Sequence, residues 1–540
     1  MKQGNAPPDW AEDVGSTFPL KSPIIFSIII SIIVLAVFSA VLSDDFVMWD
    51  DDISVYQNPH LGRLSLARVY FAFTDTDVTM RYNPLAFLSW SLSYHLFGLN
   101  PFGYHLIDWL LHGLSSGVLF LIIRKVLLLS PLRLQASAHN FYVNITASLA
   151  TLCWALHPMR VESVAWATDR TYGQAVFFLL LSTLCYLKAI DSESDRRQYL
   201  FLIISAFVWY AVSLLSHAIG TTYCAVFLLF DVFLFKRIGN SIGWWRSPAA
   251  RKVLLEKIPL AVPAVLIGVI SLVARVRSAG YEPPVPLSAF GIVARLMQAS
   301  YVTVYYLYRP FYPVDLAPVY STLVSFDPLS LPFLLRAVGL LALSVGIFLF
   351  RKRWPIGVAL LLAHIILLFP VMGFLEHPHY HADRYSLVSS MCLSILIAFA
   401  VIHAMRSKYV AMIVVVGLLI GINVLGWLTF KQIKVWYGSE TLFSHAIETL
   451  KGDPYRQDLY WRLGKYLFVN GKEEQAAVNF EKTLAIDPYH PIARSYLAQI
   501  EYDKGNLAGA AYHLQKILVA DPNNAKARYE LSELLKKLKK

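Results

Sequence analysis

The chain has 540 residues, of which 56% are hydrophobic and 15% are charged, and its mean hydropathy is +0.51. Because a soluble domain carries about 25% charged residues, this composition excludes an ordinary soluble protein and predicts a polytopic membrane domain with a smaller appendage. The net charge of +11 is typical of basic cytoplasmic loops, so we expect a membrane-lipid environment and no nucleic-acid partner.

The first apolar run, 23–43, carries no charge and is long enough to cross a bilayer. It follows the polar residues 1–22 and lacks the small-residue exit of a cleaved signal, so we interpret it as a retained signal anchor. The segment 288–308 contains Arg295 and is flanked by proline and aromatic residues, so it is expected to lie along the membrane surface. Further spans are predicted at 103–123, 141–157, 172–188, 199–215, 218–235, 258–274, 332–350, 355–372, 385–404 and 409–430.

Clusters of lysine and arginine follow every second predicted span, beginning with Arg124 and Lys125. Under the positive-inside rule these clusters are cytoplasmic, which predicts about eleven spans with the N-terminus (1–22) inside and the C-terminus outside. The membrane domain is then 23–430, with 44–102 as its first extracytoplasmic loop. The C-terminal part, 431–540, faces the periplasm, the cell exterior or the lumen of the endoplasmic reticulum.

This topology places four polar stretches on the outer face. Because lipid excludes unpaired charge, we expect them to converge on an outward-facing cavity. The alternative is chance clustering, since connecting loops are polar in any case. The stretches are Asp44–Leu61, Ala155–Arg170, Ser216–His217 and Glu376–Arg384.

The first of these stretches holds five aspartates in nine positions, directly after an apolar run. Crowded carboxylates repel one another, so the pKa of at least one is expected to rise. A carboxylate with a raised pKa suits the removal of a proton from a hydroxyl group. The alternative is a solvated loop or a helix N-cap.

The composition changes near Gln457, where two copies of a 34-residue unit begin, 457–490 and 491–524. Small alanines and turn glycines stand at equal offsets in both copies, a pattern that resembles the tetratricopeptide repeat. The lysine-rich 525–540 is expected to be a capping helix. The resemblance implies a helical solenoid that presents a concave surface to peptides, and a purely structural or dimerising array is the alternative.

A series of motifs runs through the membrane part in a fixed order. They are Trp49-Asp50-Asp51, Asn58-Pro59-His60, Tyr82-Asn83-Pro84-Leu85, Leu96 to Leu106, His157 to Trp166 with Arg170, and Ala382-Asp383-Arg384-Tyr385. Together they resemble the transmembrane and tetratricopeptide-repeat-containing protein family and its bacterial and archaeal relatives. That family is similar to the GT-C glycosyltransferases, whose eukaryotic members include O-mannosyltransferases.

The resemblance implies an all-α, GT-C-like enzyme that takes a hexose, such as mannose, from a polyprenyl or dolichyl phosphate. It also implies a catalytic carboxylate in the first outer loop, which is Asp50 or Asp51 here, with Asp45 and Asp52 supporting it or facing solvent. The chain departs from the family at Ser216-His217, where a lysine is usual, and at Thr171-Tyr172. His217 binds donor phosphate fully only when it is protonated.

Sugar transfer from a lipid phosphate also requires fixed positive charge beside the leaving phosphate. Arg160, Arg170 and Arg384 are candidates, because a guanidinium binds phosphate in bidentate fashion and keeps its charge. Glu162 and Asp383, next to two of these arginines, are expected to orient them, and His157 belongs to the same motif. The alternative for each acidic and basic pair is a buried structural ion pair. A single base requires no covalent intermediate, so we expect inversion at the sugar carbon.

No cofactor is expected. His377, His379 and His381 have the alternate spacing of a divalent-metal site, but the resemblance does not call for one. The four cysteines lie in or beside apolar runs and form no Cys-x-x-Cys pair, which predicts neither a disulfide framework nor a zinc site. His105, Asp108 and His112 share one helix face and are expected either to line a cavity or to join helices.

The leading hypothesis is therefore a membrane glycosyltransferase that acts on the outer face, on an acceptor such as protein serine or threonine. Its C-terminal repeats would recruit the protein acceptor. One rival is a transporter or flippase for a lipid-linked solute, which predicts internally repeated helix sets that are not evident here. The other is a non-catalytic scaffold in which only the repeats act.

Overall fold

A computed structural model describes residues 22–76, 81–130, 139–238, 246–278, 283, 285–324, 326–374 and 379–538. The predicted cytoplasmic N-terminus, up to residue 21, lies outside the described residues, as do Glu376 and His377. Within them the chain is helical, and its only β-type pairing is an isolated bridge between Tyr320 and His381.

The membrane part is a succession of helices. Proline begins several of them, where its missing N–H costs no hydrogen bond. In chain order they are α1 (Pro23–Val37), α2 (Leu66–Thr74), α3 (Pro84–Phe97), α4 (Pro101–Leu129), α5 (His139–Ala155), α6 (Arg170–Asp191), α7 (Arg196–Ser216), α8 (Tyr223–Leu229), α9 (Pro248–Arg277), α10 (Ile292–Tyr308), α11 (Leu331–Leu349), α12 (Pro355–Leu368), α13 (Met391–Ala404) and α14 (Lys408–Trp436).

The all-helical, multi-pass architecture is confirmed. Among the described residues, 6 helices are long and apolar enough to cross a membrane: α4, α6 with the turn before it, α7, α9, α11 and α14. The bent pair of Asp383–Ser389 and α13 would make a seventh span. Three shorter apolar helices coincide with predicted spans, at Pro23–Val37, Ala218–Leu234 and Pro355–Val371, and α5 covers the remaining prediction.

Helix α10 occupies the segment that was expected to lie along the surface. It has 17 residues and is not among the helices long enough to span. One face is buried against protein, since the Tyr306 hydroxyl donates to the Ala382 carbonyl over 2.6 Å and His364 of α12 lies 3.3 Å from the Thr303 carbonyl. The surface placement stays a prediction.

Helix α4 lies at the centre of the bundle and contacts α1, α5 and α6. Small residues bring α1 and α4 close together: a Cβ at Gly117 would lie 2.5 Å from the Ser31 hydroxyl. The Ser27 hydroxyl donates to the Gly117 carbonyl over 2.9 Å, and the Trp109 indole donates to the Leu35 carbonyl over 2.8 Å. Close backbone approach of this kind is how membrane helices associate without a hydrophobic driving force.

Charged residues concentrate at one end of the bundle in a balanced network. Asp231 accepts from Tyr186 and lies 2.7 Å from the Lys257 ammonium and 3.2 Å from Arg237. Arg237 also pairs with Glu256 at 2.9 Å. Three of the basic clusters assigned to the cytoplasm contribute here or close by, since Lys125 pairs with Asp191 at the end of α6. The end of the bundle that contains Asp231 is therefore held together by ion pairs between helix ends.

The C-terminal part consists of consecutive helices that pair with one another: α15 (Ser439–Thr449), α16 (Arg456–Val469), α17 (Glu473–Ile486), α18 (Pro491–Asp503), α19 (Leu507–Ala520) and α20 (Ala525–Leu538). Gly471 and Gly505 stand between paired helices with φ of 74° and 79°, a region that glycine enters without strain. Buried Ala476 and Ala510 occupy equal offsets in the two units. The assignment to the tetratricopeptide class and its boundaries stay predictions.

Candidate functional site

The four polar stretches assigned to the outer face lie together in the structure. Asp51 of the first contacts Thr168 of the second, Glu162 of the second pairs with Arg384 of the fourth, and the ring of His217 lies 4.0 Å from that of Tyr172. Residues far apart in the chain thus form one polar region at the end of the bundle opposite the Asp231 network.

Asp51 is buried, and both of its carboxylate oxygens accept hydrogen bonds. Its Oδ2 accepts the Val47 N–H over 2.9 Å, and its Oδ1 accepts the N–H of Thr168 over 2.9 Å and the Thr168 hydroxyl over 2.6 Å. Burial raises the pKa of Asp51 to about 7, even though these bonds favour the ionised form. The carboxylate therefore fixes the first outer loop against the Thr168 turn.

Asp50, in contrast, lines an open cavity. Its φ of 136° lies in a region that residues with a side chain rarely adopt, and such strain persists where the surroundings impose it. Burial raises the pKa of Asp50, and the positive charges of Arg81, Arg462 and Arg384 oppose that rise. Of the two predicted catalytic aspartates, Asp50 is the one that lines this cavity.

The cavity beside Asp50 has a volume of about 460 Å³, within the range of small-molecule sites. Its walls come from the first outer loop, α2, the start of α3 and the turn before α6. Apolar residues line part of it, and its polar and aromatic lining residues include Asp50, Asn58, His60, Arg81, Tyr82, Trp90, Thr168 and Thr171. The Thr171 hydroxyl is buried without a hydrogen-bond partner among the described residues. Thr171, which departs from the family pattern, thus has a hydroxyl group that can donate and accept hydrogen bonds at the cavity.

Arg384 joins two of the converging stretches. Its guanidinium pairs with Glu162, and its backbone N–H donates to Glu162 Oε2 over 2.9 Å. Its Nε lies 3.8 Å from Asp169 Oδ1, and the guanidinium stacks over the rings of Trp166 and Tyr385 at 5.2 and 4.9 Å. Flat aromatic faces and two carboxylates hold this cation in one orientation.

The prediction that each acidic residue pairs with the arginine nearest to it in sequence is wrong. Glu162 pairs with Arg384 instead of Arg160, and the Asp383 carboxylate accepts the Tyr320 hydroxyl over 3.0 Å. Adjacent side chains in these short turns point in different directions, so the ion pair forms between two loops.

Arg160 is buried, and its Nη2 donates to the Ser386 hydroxyl. Its Nε and Nη1 have no hydrogen-bond partner among the described residues, and the guanidinium stacks over Trp154 at 5.6 Å. Two unpaired donors on a buried cation are unusual, since such groups are costly unless they are satisfied. Arg160 therefore stays a candidate ligand for an anion.

Arg170 does not meet the expectation of a phosphate ligand. Its Nε pairs with Asp108 at 2.7 Å, Nη1 donates to the Ser93 hydroxyl over 2.8 Å, and Nη2 donates to the Tyr104 carbonyl over 2.7 Å. The side chain is 0% exposed. Arg170 thus belongs to a buried ion pair that the sequence did not predict, and Asp108 joins two helices through it. His112 likewise joins helices, with Nε2 3.0 Å from the Ala155 carbonyl.

His217 is half-buried, and its Nδ1 accepts the N–H of Ile219 over 3.0 Å. Burial and the nearby charges of Arg81 and Arg384 lower the pKa of His217 to about 3, so the ring is neutral at physiological pH. A protonated His217 bound to phosphate is therefore not supported. Since Nδ1 accepts, Nε2 carries the hydrogen and can donate one neutral hydrogen bond.

The remaining predicted supporting residues lie outside the cavity. His157 links two loops, since Nδ1 accepts the Met159 N–H over 3.2 Å and Nε2 lies 2.9 Å from the Pro310 carbonyl. Asp45 is exposed, and its carboxylate accepts only the N–H of Phe46 over 2.7 Å within the described residues. It matches the solvent-facing alternative.

Sequence reasoning missed Arg81. This arginine is exposed, lines the cavity and acts electrostatically on Asp50 and His217. It stands directly before the motif Tyr82-Asn83-Pro84, and that position was the only signal available.

Groups of three metal-ligating side chains do not occur in the part of the chain that the structure describes, which leaves out His377.

No family model matches the chain. It is 33% identical over 157 residues to protein O-mannosyl-transferase tmtc2 of Xenopus laevis, a match that covers 29% of this chain and 17% of that protein. It is 29% identical over 211 residues to human TMTC2 (38% of this chain, 23% of that protein) and 24% identical over 445 residues to human TMTC1 (75% and 48%), both named protein O-mannosyl-transferases. The chain thus spans about half or less of the length of these relatives. Over the matched stretches the chain is similar to these protein O-mannosyl-transferases.

Proposed function

We propose that the chain is a membrane glycosyltransferase that moves a sugar from a polyprenyl or dolichyl phosphate to a hydroxyl group on a protein. The observation that carries this proposal is Asp50 at the wall of a cavity, within electrostatic reach of two arginines, Arg81 and Arg384. The names of the relatives, all protein O-mannosyl-transferases, support the sugar class and the protein acceptor.

Asp50 is the proposed base. In the transfer step the acceptor oxygen forms a bond to the anomeric carbon, while the bond from that carbon to the phosphate oxygen breaks. The hydroxyl proton passes to the Asp50 carboxylate, and the electron pair of the broken bond leaves with the lipid phosphate. One base and no covalent intermediate give inversion at the sugar carbon. Asp51 is too fully hydrogen-bonded for this role and positions the loop instead.

Arg384 and Arg81 are the proposed ligands of the leaving phosphate. Arg384 is fixed by Glu162 and by stacked rings, so its charge is in place before substrate arrives, which is the condition for electrostatic catalysis. Arg81 is exposed at the cavity wall and has freedom to close on the phosphate. Arg160, with two unpaired donors, is a further candidate, whereas His217 supplies at most a neutral donor.

The proposed orientation places the N-terminus in the cytoplasm and the site and the C-terminal helices on the outer face. It is supported by the basic clusters, three of which lie at or near the Asp231 network at the opposite end. A groove of about 800 Å³ along the C-terminal helices is the proposed acceptor surface. Tyrosines and charges of both signs line it, among them Tyr496, Tyr502, Tyr529, Lys526 and Glu530.

The test is a transfer assay with purified protein in nanodiscs, radiolabelled polyprenyl-phosphate mannose and a serine- and threonine-containing peptide. The wild-type chain is expected to label the peptide, and Asp50→Asn is expected to lose at least about 100-fold in rate, the usual contribution of a general base. Asp45→Asn is the matched control, because Asp45 lies in the same loop but is exposed. Equal rates for wild type and Asp50→Asn would refute the base. Translocation of the lipid without transfer would favour a flippase, and neither activity would favour a scaffold.

A further inference from the structure

The loop that carries Asp50 is held by the C-terminal part as well as by the membrane part. We call residues 45–56 the Asp50 loop. The Asp45 N–H donates to the Tyr437 carbonyl over 2.9 Å, and the Met48 N–H donates to the Ser439 hydroxyl over 2.9 Å. The Met48 side chain is buried in the apolar core of the C-terminal helices, together with Phe443. Part of the loop thus belongs to the fold of the C-terminal part.

Helix α16 contacts the loop on either side of Asp50. The Arg462 guanidinium stacks over the Trp49 ring at 5.0 Å, and its Nε donates to Asp458 over 2.8 Å, which fixes its direction. The Lys465 ammonium lies 3.2 Å from Asp52 Oδ2. One helix face of α16 therefore holds the residue before the proposed base and the residue two positions after it.

The charges that face Asp50 come from several elements. Arg81 precedes α3, Arg384 precedes α13 and Arg462 lies on α16. Two acids are also near, the adjacent Asp51 and Asp52, and Asp52 is paired with Lys465. Burial raises the pKa of Asp50, and each of the three guanidinium groups lowers it. Of these cations only Arg462 comes from the C-terminal part.

We propose that α16 supports the Asp50 loop from outside the cavity and that Arg462 is a positioning residue, which holds Trp49 and so orients Asp50 at the cavity. This inference rests on the proposed function and deepens it, because it gives the C-terminal helices a role in positioning the base and not only in recruiting the acceptor. Loss of Arg462 both frees Trp49 and removes one of the charges that favour ionised Asp50.

The kinetic test compares Arg462→Gln and Arg462→Lys with Arg456→Gln in the full-length protein. Arg456 lies on the same helix but stacks on Tyr460, so it is a matched control. The acid limb of the kcat/KM profile reports the pKa of the base. In Arg462→Gln we expect this limb to move to higher pH by about 0.5–1 unit, the effect of one partly screened charge, and kcat to fall. Arg462→Lys retains the limb, and Arg456→Gln matches wild type.

A second measurement does not depend on transfer activity. Hydrogen–deuterium exchange of the Asp50 loop is expected to be faster in Arg462→Gln and in Lys465→Gln than in Arg456→Gln. Lys465→Gln removes the ion pair between α16 and Asp52, so it supplies a second variant should Arg462→Gln fold poorly.

The outcomes separate the two claims. An unshifted acid limb, or exchange in Arg462→Gln and Lys465→Gln equal to that in the control, overturns the role of α16 while leaving the proposed function intact. Absence of transfer by the wild-type chain overturns the proposed function. In that case faster exchange in the two α16 variants still establishes that α16 positions the loop, and equal exchange overturns it.

Discussion

Replacing Arg170 with glutamine tests whether this arginine is structural, as its contacts indicate, or a ligand of the donor phosphate. Its pair with Asp108 at 2.7 Å has side chains that are 0% and 1% exposed, and donors of the same guanidinium also bind Ser93 and Tyr104. Removing one partner of a buried ion pair leaves an uncompensated charge and costs about 3–5 kcal/mol. We therefore expect Arg170→Gln to lower the thermal midpoint in detergent strongly.

The double variant Asp108→Asn with Arg170→Gln removes both charges and is expected to recover much of that stability, since the buried charge is no longer left alone. Thermal-shift measurements give the stability, and the transfer assay gives KM for the lipid donor. The double variant is expected to keep the donor KM of wild type. A stable Arg170→Gln protein with a sharply raised donor KM would refute the structural assignment.

Three further predictions follow from the contacts of the bundle and the site. Thr168→Val removes the 2.6 Å hydrogen bond to Asp51. Because burial raises the folded pKa of Asp51 from 3.8 to about 7, the carboxylate is mostly ionised only above that pH, so we expect a loss of stability of about 1.5–3 kcal/mol at pH 8 and a smaller loss at pH 5. Thermal midpoints measure both losses, and equal losses would contradict a buried anion. His217→Asn is expected to leave the acid limb of the rate profile in place, since a pKa of about 3 keeps His217 neutral, and a moved limb would show that it titrates. Gly117→Ala places a methyl group 2.5 Å from the Ser31 hydroxyl and is expected to cost about 1–3 kcal/mol, whereas an unchanged midpoint would show that α1 and α4 separate easily.

The helices could be read from the sequence because each predicted span is a continuous apolar run. Every such run, from 23–43 to 409–430, coincides with a helix, a bent pair or a short apolar helix. The convergence of the polar stretches followed from the alternation of basic clusters, which assigned them to one face. Both inferences use patterns that local sequence contains.

The partners of individual side chains could not be read in the same way. Glu162 and Arg384 are 222 positions apart, and Arg170 and Asp108 are 62 apart, so proximity in the chain favoured the wrong pairs. The difference between Asp50 and Asp51 depends on one peptide with φ of 136°, which no composition or spacing reveals. Arg81 was missed because a lone arginine in a polar loop is more often a solvated residue.

Chemical rescue of Asp50→Gly tests directly whether Asp50 is the base of the transfer step. Glycine accepts the φ of 136° without strain and leaves an opening where the carboxylate stood, so added formate can replace the missing base. We expect formate to restore sugar transfer in Asp50→Gly and not in Asp51→Gly, whose defect is the lost link to Thr168. Rescue of Asp51→Gly alone, or transfer by Asp50→Gly without formate at the rate of wild type, would contradict this expectation.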